Sequence, residues 1–155
     1  MPIPVCPKYV AVTVPVAIVD NASWTTIEVD TRGYRYARYV VMLGVTDIAM
    51  AAFAVTESDT TGSGHGNITG AIFGTSVNSA GSTSSLPSAG ADGLIFIVNI
   101  DLRGRNRFLD LTLTGGDGTA GTYAVAWCEL YDAEQAPVTA ADMGASQVLN
   151  VPAYA

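Results

Sequence analysis

The sequence predicts an all-β protein, a jelly-roll-like sandwich of two sheets built from about eight strands. Three observations carry that expectation. Apolar residues recur with the two-residue period of half-buried strands. Turn-forming Gly, Ser, Thr and Asn separate those runs, and no stretch sustains the period of a long helix. Finally, the chain contains an internal echo. Asp101-Leu102-Arg103-Gly104 stands between strand-like residues 94–100 and 108–113, and 71 residues earlier Asp30-Thr31-Arg32-Gly33 stands between residues 24–29 and 36–43. Each half reads as strand, Arg-Gly corner, strand, glycine turn, strand, which fits two Greek keys wrapped together.

Taken in order, residues 1–8 alternate proline with mostly apolar side chains, which keeps them out of a central ladder and marks an extended N-terminal arm. Residues 9–19 are β-rich, and Pro15 either splits them or confines them to a sheet edge. Asp20-Asn21-Ala22-Ser23 is turn chemistry. Residues 24–29 read as a strand with Trp24, Ile27 and Val29 available for burial, and after the first corner residues 36–43 read as another. Residues 46–59 are ambiguous: Ala49, Ala51, Ala52 and Ala54 favour helix, with Thr46 or Asp47 as a cap. The corresponding segment 122–131 is richer in aromatic residues and reads as strand, and that reading is extended to both.

Residues 60–93 are low in complexity; only 68–73 and Ser76-Val77 offer strand material, and the rest reads as loop with little to bury. So long a loop is expected to be a contact element ordered by neighbours in an assembly. Past the second corner, residues 94–100, 108–113 and 123–130 are strands, with Gly115-Gly116-Asp117-Gly118 turning the chain between the last two. Residues 133–155 form a C-terminal tail, with one helical turn at 139–143 and a last short strand at 147–151. Residues 1–155 are thus expected to form a single β-sandwich domain with an arm and a tail.

Composition narrows the function classes. The chain is 49% hydrophobic but only 14% charged, against roughly 25% in ordinary soluble domains. A surface so poor in charge points to an oligomer or a larger assembly. With one lysine and a net charge of −7, the chain lacks the basic footprint that nucleic acid requires. The arginines fall in two groups, Arg32, Arg35 and Arg38, then Arg103, Arg105 and Arg107. If extended, the second group lies on one side of its strand. Two uses compete: a positive patch that binds a partner protein, or pairing with Asp30, Asp101 and Asp110 of the same chain.

Two cysteines, Cys6 and Cys128, make no disulfide framework; Cys128 reads as a buried apolar thiol, and a bridge between the two stays open. The N-terminus has no basic segment ahead of an apolar one, so no secretory signal is expected. The most membrane-like stretch, residues 39–55, is interrupted by Gly44, Thr46 and Asp47, and the aspartate alone costs about 2.5–3.5 kcal/mol in a spanning helix. A membrane span is rejected. The glycosylation patterns at Asn21 and Asn67 carry no weight without export.

Reactive constellations were sought at every candidate. His65, the only histidine, stands between Gly64 and Gly66, the reverse of the rigid setting a catalytic imidazole needs, and reads as a mobile loop residue. The same glycines are followed by no Lys-Ser/Thr and cradle no phosphate. Gly115-Gly116-Asp117-Gly118 offers one carboxylate, too few oxygen ligands for calcium. Glu57 and Asp59 read as a solvated strand end, and no His/Cys cluster suits zinc. Tyr34, Tyr36 and Tyr39 beside Arg35 and Arg38 suit stacking on sugars, or core and subunit packing. No catalytic, cofactor-binding or metal residue is assigned.

The residues LPSAGADG from Leu86, IDLRGRNRFLDL from Ile100 and GGDGTAGTYA from Gly115, with LGVTDIA from Leu43 and Glu57-Ser58-Asp59, resemble a family of small proteins encoded among the head genes of tailed bacteriophages. The resemblance spans about the middle two-thirds of the chain and rests on turn chemistry. It implies a capsid decoration (cement) or minor capsid protein of jelly-roll type that sits, commonly as a homotrimer, on the major capsid lattice. The family supplies no catalytic residues.

The expected function is therefore a virion structural protein on the capsid surface, assembled in the host cytoplasm. It is no enzyme, and its partners are the major capsid protein and itself, with no nucleic acid and no membrane. Its arm and tail would cross subunit boundaries, and its Arg-Gly corners would fix strand geometry or dock on acidic capsid surface. The alternative is a glycan- or receptor-binding module on a virion surface, using a shelf at residues 34–39. A hydrolase built on His65 or the acidic residues is the third reading.

Overall fold

A computed structural model describes residues 7–14, 17–137 and 139–149. Among the described residues eight strands are formed: β1 (Lys8–Thr13), β2 (Val29–Asp30), β3 (Tyr36–Leu43), β4 (Ala52–Ser58), β5 (Gly66–Ile72), β6 (Ile95–Asp101), β7 (Phe108–Thr114) and β8 (Ala124–Tyr131). They make two antiparallel four-stranded sheets, ordered β1-β8-β3-β6 and β2-β7-β4-β5. The chain alternates between sheets except from β4 to β5, and this is the strand order of a jelly roll, as expected.

Alternation builds the core. β3 turns Ala37, Tyr39, Val41 and Leu43 inward, β7 turns Leu109, Leu111 and Leu113, and β8 turns Ala124, Ala126, Cys128 and Leu130. On the side bounded by β5 and β6, Phe53 stacks on Phe73 at 4.3 Å, and Phe96 meets both edge-on at 6.1 and 5.9 Å. Such offset and edge contacts add about 0.5–1.5 kcal/mol per pair to the area buried, and here they tie the two sheets together.

The echo in sequence is an echo in space. A 71-residue offset carries β3 onto β7 and β4 onto β8, and each partner lies in the opposite sheet. With the second sheet written β5-β4-β7-β2, every strand stands where its counterpart stands in β1-β8-β3-β6.

Four expectations are corrected. Residues 24–28 are not a strand: Trp24 N–H donates to Leu113 O at 3.0 Å and Ile27 N–H to Val12 O at 2.9 Å. Bonded to both sheets, this run can follow the ladder of neither, and Ile27 is left half exposed while Trp24 is buried. Residues 46–51 precede β4 as loop rather than belonging to it. Residues 73–94 do bury side chains, since Pro87 and Ala91 are buried and Met50 N–H donates to Pro87 O at 2.9 Å. That segment also ties itself: Asn78 Oδ1 accepts from the N–H groups of Ala80 and Ser82, and Ser84 N–H donates to Ser76 O at 2.7 Å. Residues 147–149 form no strand; 150 and 151 lie outside the described residues, as do residues 1–6 of the expected arm.

The helical turn at 139–143 is present as one turn, closed by Met143 N–H to Thr139 O at 3.1 Å. It docks on the chain's first strand through Tyr9 N–H to Met143 O at 2.8 Å.

Candidate functional site

Both Arg-Gly corners carry the chain between sheets at the same end of the sandwich. Each is built alike. Asp30 Oδ1 accepts from Arg32 N–H and Asp101 Oδ1 from Arg103 N–H, both at 3.1 Å. Tyr34 N–H then donates to Thr31 O, and Arg105 N–H to Leu102 O, again both at 3.1 Å. Gly33 and Gly104 take φ of +84° and +73°, the left-handed conformation that closes these turns. The corners also bond to each other. Arg107 O accepts from the N–H and the hydroxyl of buried Thr31 at 3.1 and 2.7 Å, and Leu102 N–H donates to Arg35 O at 2.9 Å.

The arginines are held by carboxylates of the same chain. Arg107 Nε and Nη2 donate to Asp30 at 2.8 and 2.7 Å, Arg105 Nη1 to Glu57 at 3.2 Å, and Arg103 folds back on Asp101. Arg35 lies 3.5 Å from Asp132 and Arg38 3.9 Å from Glu129. Among the described residues, Arg32 has no carboxylate in ion-pair reach. The expected row of Arg103, Arg105 and Arg107 on one extended side does not form, because the turn at Arg103-Gly104 sends each side chain a different way. Pairing with Asp30 and Asp101 is as expected, whereas Asp110 accepts instead from the Thr26 hydroxyl and Leu111 N–H, each at 2.8 Å. Glu57 and Asp59, read as a solvated strand end, bind the second corner: Glu57 also accepts Asn106 N–H at 3.0 Å and Asp59 accepts Arg107 N–H at 3.4 Å. The hydrogen bond from Arg107 holds the Asp30 carboxyl below its usual range, and that from Arg103 draws Asp101 down to about 2.

The outer face of the first sheet divides into two halves. In register across β8, β3 and β6 stand Tyr131, Tyr36 and Asp101, then Glu129, Arg38 and Asn99, then Trp127, Val40 and Ile97, then Val125, Met42 and Ile95. The half near the corners is polar and aromatic. Glu129 accepts from Trp127 Nε1–H at 3.1 Å and from the Tyr131 hydroxyl, Arg38 Nε–H donates to Asn99 Oδ1 at 2.8 Å, and the Arg38 guanidinium lies 5.5 Å from the Tyr131 ring centre. Burial, then the Glu129 carboxylate, pushes the Tyr131 phenol up to about 12, so it stays a donor. A groove of about 540 Å³ runs over Tyr36, Arg38, Asn99, Asp101 and Tyr131. The other half is apolar, with Ile95, Ile97 and Met42 exposed. The face is thus polar and internally hydrogen-bonded near the corners and apolar away from them.

Sequence reasoning placed Tyr34, Tyr36 and Tyr39 together, but Tyr34 belongs to the corner before β3 and strand alternation puts Tyr36 and Tyr39 on opposite faces. Tyr36 faces the groove, Tyr34 packs against the core, and Tyr39 is fully buried. It missed Trp127, Glu129 and Tyr131, whose spacing by two along β8 already puts them on one face.

His65 does not stand free in its glycine loop. Its Nε2 lies 2.9 Å from Glu28 Oε2, with the two side chains only 16% and 19% exposed. Glu28 also accepts from the Thr61 hydroxyl at 2.6 Å and Gly62 N–H at 2.8 Å, which hold its carboxyl below the usual carboxylate pKa more than the imidazole does. The pair therefore pins the turn between β4 and β5 to the run before β2. The Gly115-Gly116-Asp117-Gly118 turn is likewise gripped from outside, by Asp20 Oδ1 on Gly118 N–H at 3.0 Å and Asp47 Oδ2 on the N–H groups of Thr119 and Ala120. Cys128 is a free thiol in the core, raised to about 12 chiefly by burial; Cys6, the other half of the bridge left open by the sequence, lies outside the described residues. Among the described residues no three His, Cys, Asp or Glu side chains gather as a metal site, and no helix is long and apolar enough to cross a membrane.

No protein-family model matches this chain, and no curated protein or solved structure matches it either.

Proposed function

We propose that this protein is a virion structural protein, a capsid decoration protein that binds and stabilises the major capsid lattice. The observation that carries the reading is the outer face of the first sheet. Its apolar half exposes Ile95, Ile97 and Met42 beside a polar half already fixed by Glu129 and Arg38. Apolar side chains grouped in this way on a poorly charged chain favour a surface that another protein covers. Arg105 and Arg107 tie the second corner to Glu57 and Asp30, which favours a rigid brick over a flexible adaptor. The protein has no turnover role in this reading and takes no cofactor, nucleic acid or membrane as partner. The test is co-sedimentation with capsids assembled without it, followed by heating. Saturable binding that raises the temperature of capsid rupture, reduced by Met42→Lys, supports the proposal. Capsids that neither bind the protein nor gain heat resistance refute it.

A second reading, a glycan-binding module on the virion surface, is favoured by the groove over Tyr36 and Tyr131. Aromatic faces beside Arg38, Asn99 and Asp101 match the alternating apolar and hydroxyl faces of a sugar. A glycan array separates the two: saturable sugar binding abolished by Tyr36→Ala favours the module.

A further inference from the structure

We infer that two copies of this chain pair through β6, strand against antiparallel strand, to make one continuous eight-stranded sheet. The argument begins with backbone groups. At the two ends of the β3–β6 ladder, Leu43 N–H donates to Leu94 O at 3.3 Å and Leu102 N–H donates to Arg35 O at 2.9 Å. In an antiparallel ladder, bonded residues come at every second position, and the register here is unbroken from Tyr36↔Asp101 to Met42↔Ile95. Phe96, Val98 and Ile100 therefore direct their backbone groups to β3. Those of Ile95, Ile97, Asn99 and Asp101 point to the other side, where among the described residues β6 has no neighbouring strand.

The other three sheet edges are blocked. β2 is two residues long. On β5 the ladder slips between Ala54 and Thr56, and Gly70 takes a φ of +94°. The β1 edge carries Lys8, slips between Ala11 and Thr13, and is already bonded by the 139–144 turn through Tyr9. These are the devices by which edges avoid pairing. β6, with the sequence IFIVNID, has none of them: no proline, glycine, lysine or slip.

A second copy is the occupant that the charge pattern favours. The chain carries −7 overall, yet residues 93–100 hold no charged side chain, so two acidic copies can meet here without opposing like charges. A strand set antiparallel to itself is self-complementary, as a two-fold contact must be. Centred on Ile97, the pairing places the two Ile97 side chains together and each Ile95 beside an Asn99, so that Ile97 and Ile95, now 50% and 57% exposed, gain lateral neighbours and the apolar outer face continues across both copies. Space is present as well. A groove of about 400 Å³ opens along Ile97, Val98 and Asn99, facing residues 70–73 and 76–79 across it.

The test is the mass of the native full chain by analytical ultracentrifugation, with Ile97→Lys, and with Ile97→Cys in a Cys6→Ser background. The wild type is expected to be a dimer that dissociates at lower concentration. Ile97→Lys should weaken it by about tenfold or more while leaving the circular dichroism spectrum unchanged. Oxidised Ile97→Cys should run as a covalent dimer, since paired Cα atoms about 5.5 Å apart suit a disulfide. Should Ile97→Lys fail to fold, the cross-link decides. Three outcomes would overturn the inference: a monomer at all concentrations, a trimer that Ile97→Lys leaves intact, or no cross-link. Capsid binding is read separately, so a monomer that still binds capsids sinks the dimer and leaves the capsid proposal standing.

Discussion

Arg107 donates two guanidinium hydrogen bonds to Asp30, so the second Arg-Gly corner holds the first by its opening carboxylate. The pair sits at the rim, each side chain a little under half exposed, where solvent screening leaves it only the small coupling of a surface ion pair. A double-mutant cycle with Asp30→Asn and Arg107→Ala, read by urea unfolding, should return a coupling of that size. Thr31→Val removes a part-buried bond of 2.7 Å to Arg107 O from a buried side chain and should cost about 1–2 kcal/mol.

Gly33→Ala and Gly104→Ala should behave as twins. A Cβ at either position meets nothing within 4 Å, so the cost is backbone strain alone, about 1 kcal/mol each. Gly144→Ala is the contrasting case. Its Cβ would fall 1.9 Å from Tyr9 O, so the 139–144 turn must lift off β1. Thermal melts of the three variants should show two small, equal losses and one larger loss.

Stability should fall at low pH. Glu28 is held below its usual value by the Thr61 hydroxyl and Gly62 N–H, Asp30 by Arg107, Asp47 by the N–H groups of Thr119 and Ala120, and Asp101 by Arg103, to about 2. Each carboxyl binds protons more weakly folded than unfolded. Its contribution is therefore present above the unfolded values near about 4 and is lost as pH falls through the folded ones. Relief of the −7 net charge works the other way until that charge is neutralised. Melting temperatures measured from pH 7 to pH 2 should therefore drop below about pH 4. Glu28→Gln should shallow the drop.

Tyr39→Phe should leave the protein as stable or more so. The ring is fully buried, and its hydroxyl has no hydrogen-bond partner among the described residues. Removing an unsatisfied buried group recovers up to about 1–3 kcal/mol, against the loss of little packing. The midpoint of urea denaturation should hold or rise with its slope unchanged.

Cys128 should resist thiol reagents in the native state. Burial raises the thiol to about 12, leaving almost no thiolate at neutral pH. Labelling followed by mass spectrometry should find it modified only when denaturant unfolds the chain.

Much of this architecture was legible because strands half-buried in a sandwich must alternate. β3, β6, β7 and β8 lie within a residue or two of where period and β-branched content place them, and both corners announce themselves by Asp, Arg and Gly at fixed offsets. What stayed hidden depends on partners far along the chain. The run from Trp24 to Glu28 looks like a strand by composition but is shared between sheets. Pro87 and Ala91 are single apolar residues in a polar stretch, with no periodicity to reveal that they are buried. The arginine row failed because an extended spacing was assumed across a glycine turn. Glu28 and His65 belong to different elements, and only the completed fold brings them into contact.

The order in which this chain can assemble follows from its strand arrangement. Every ladder joins one of β1–β4 to one of β5–β8, so neither portion can form a sheet alone. Only β4 and β5 are both neighbours in sequence and partners, which makes that hairpin the earliest pairing open to a growing chain. β8 lies between β1 and β3, so the first sheet cannot close until residues 124–131 have left the ribosome. Synthesis must therefore pass residue 131 before the core seals, and refolding should take on the order of milliseconds to seconds, as chains dominated by distant pairings do.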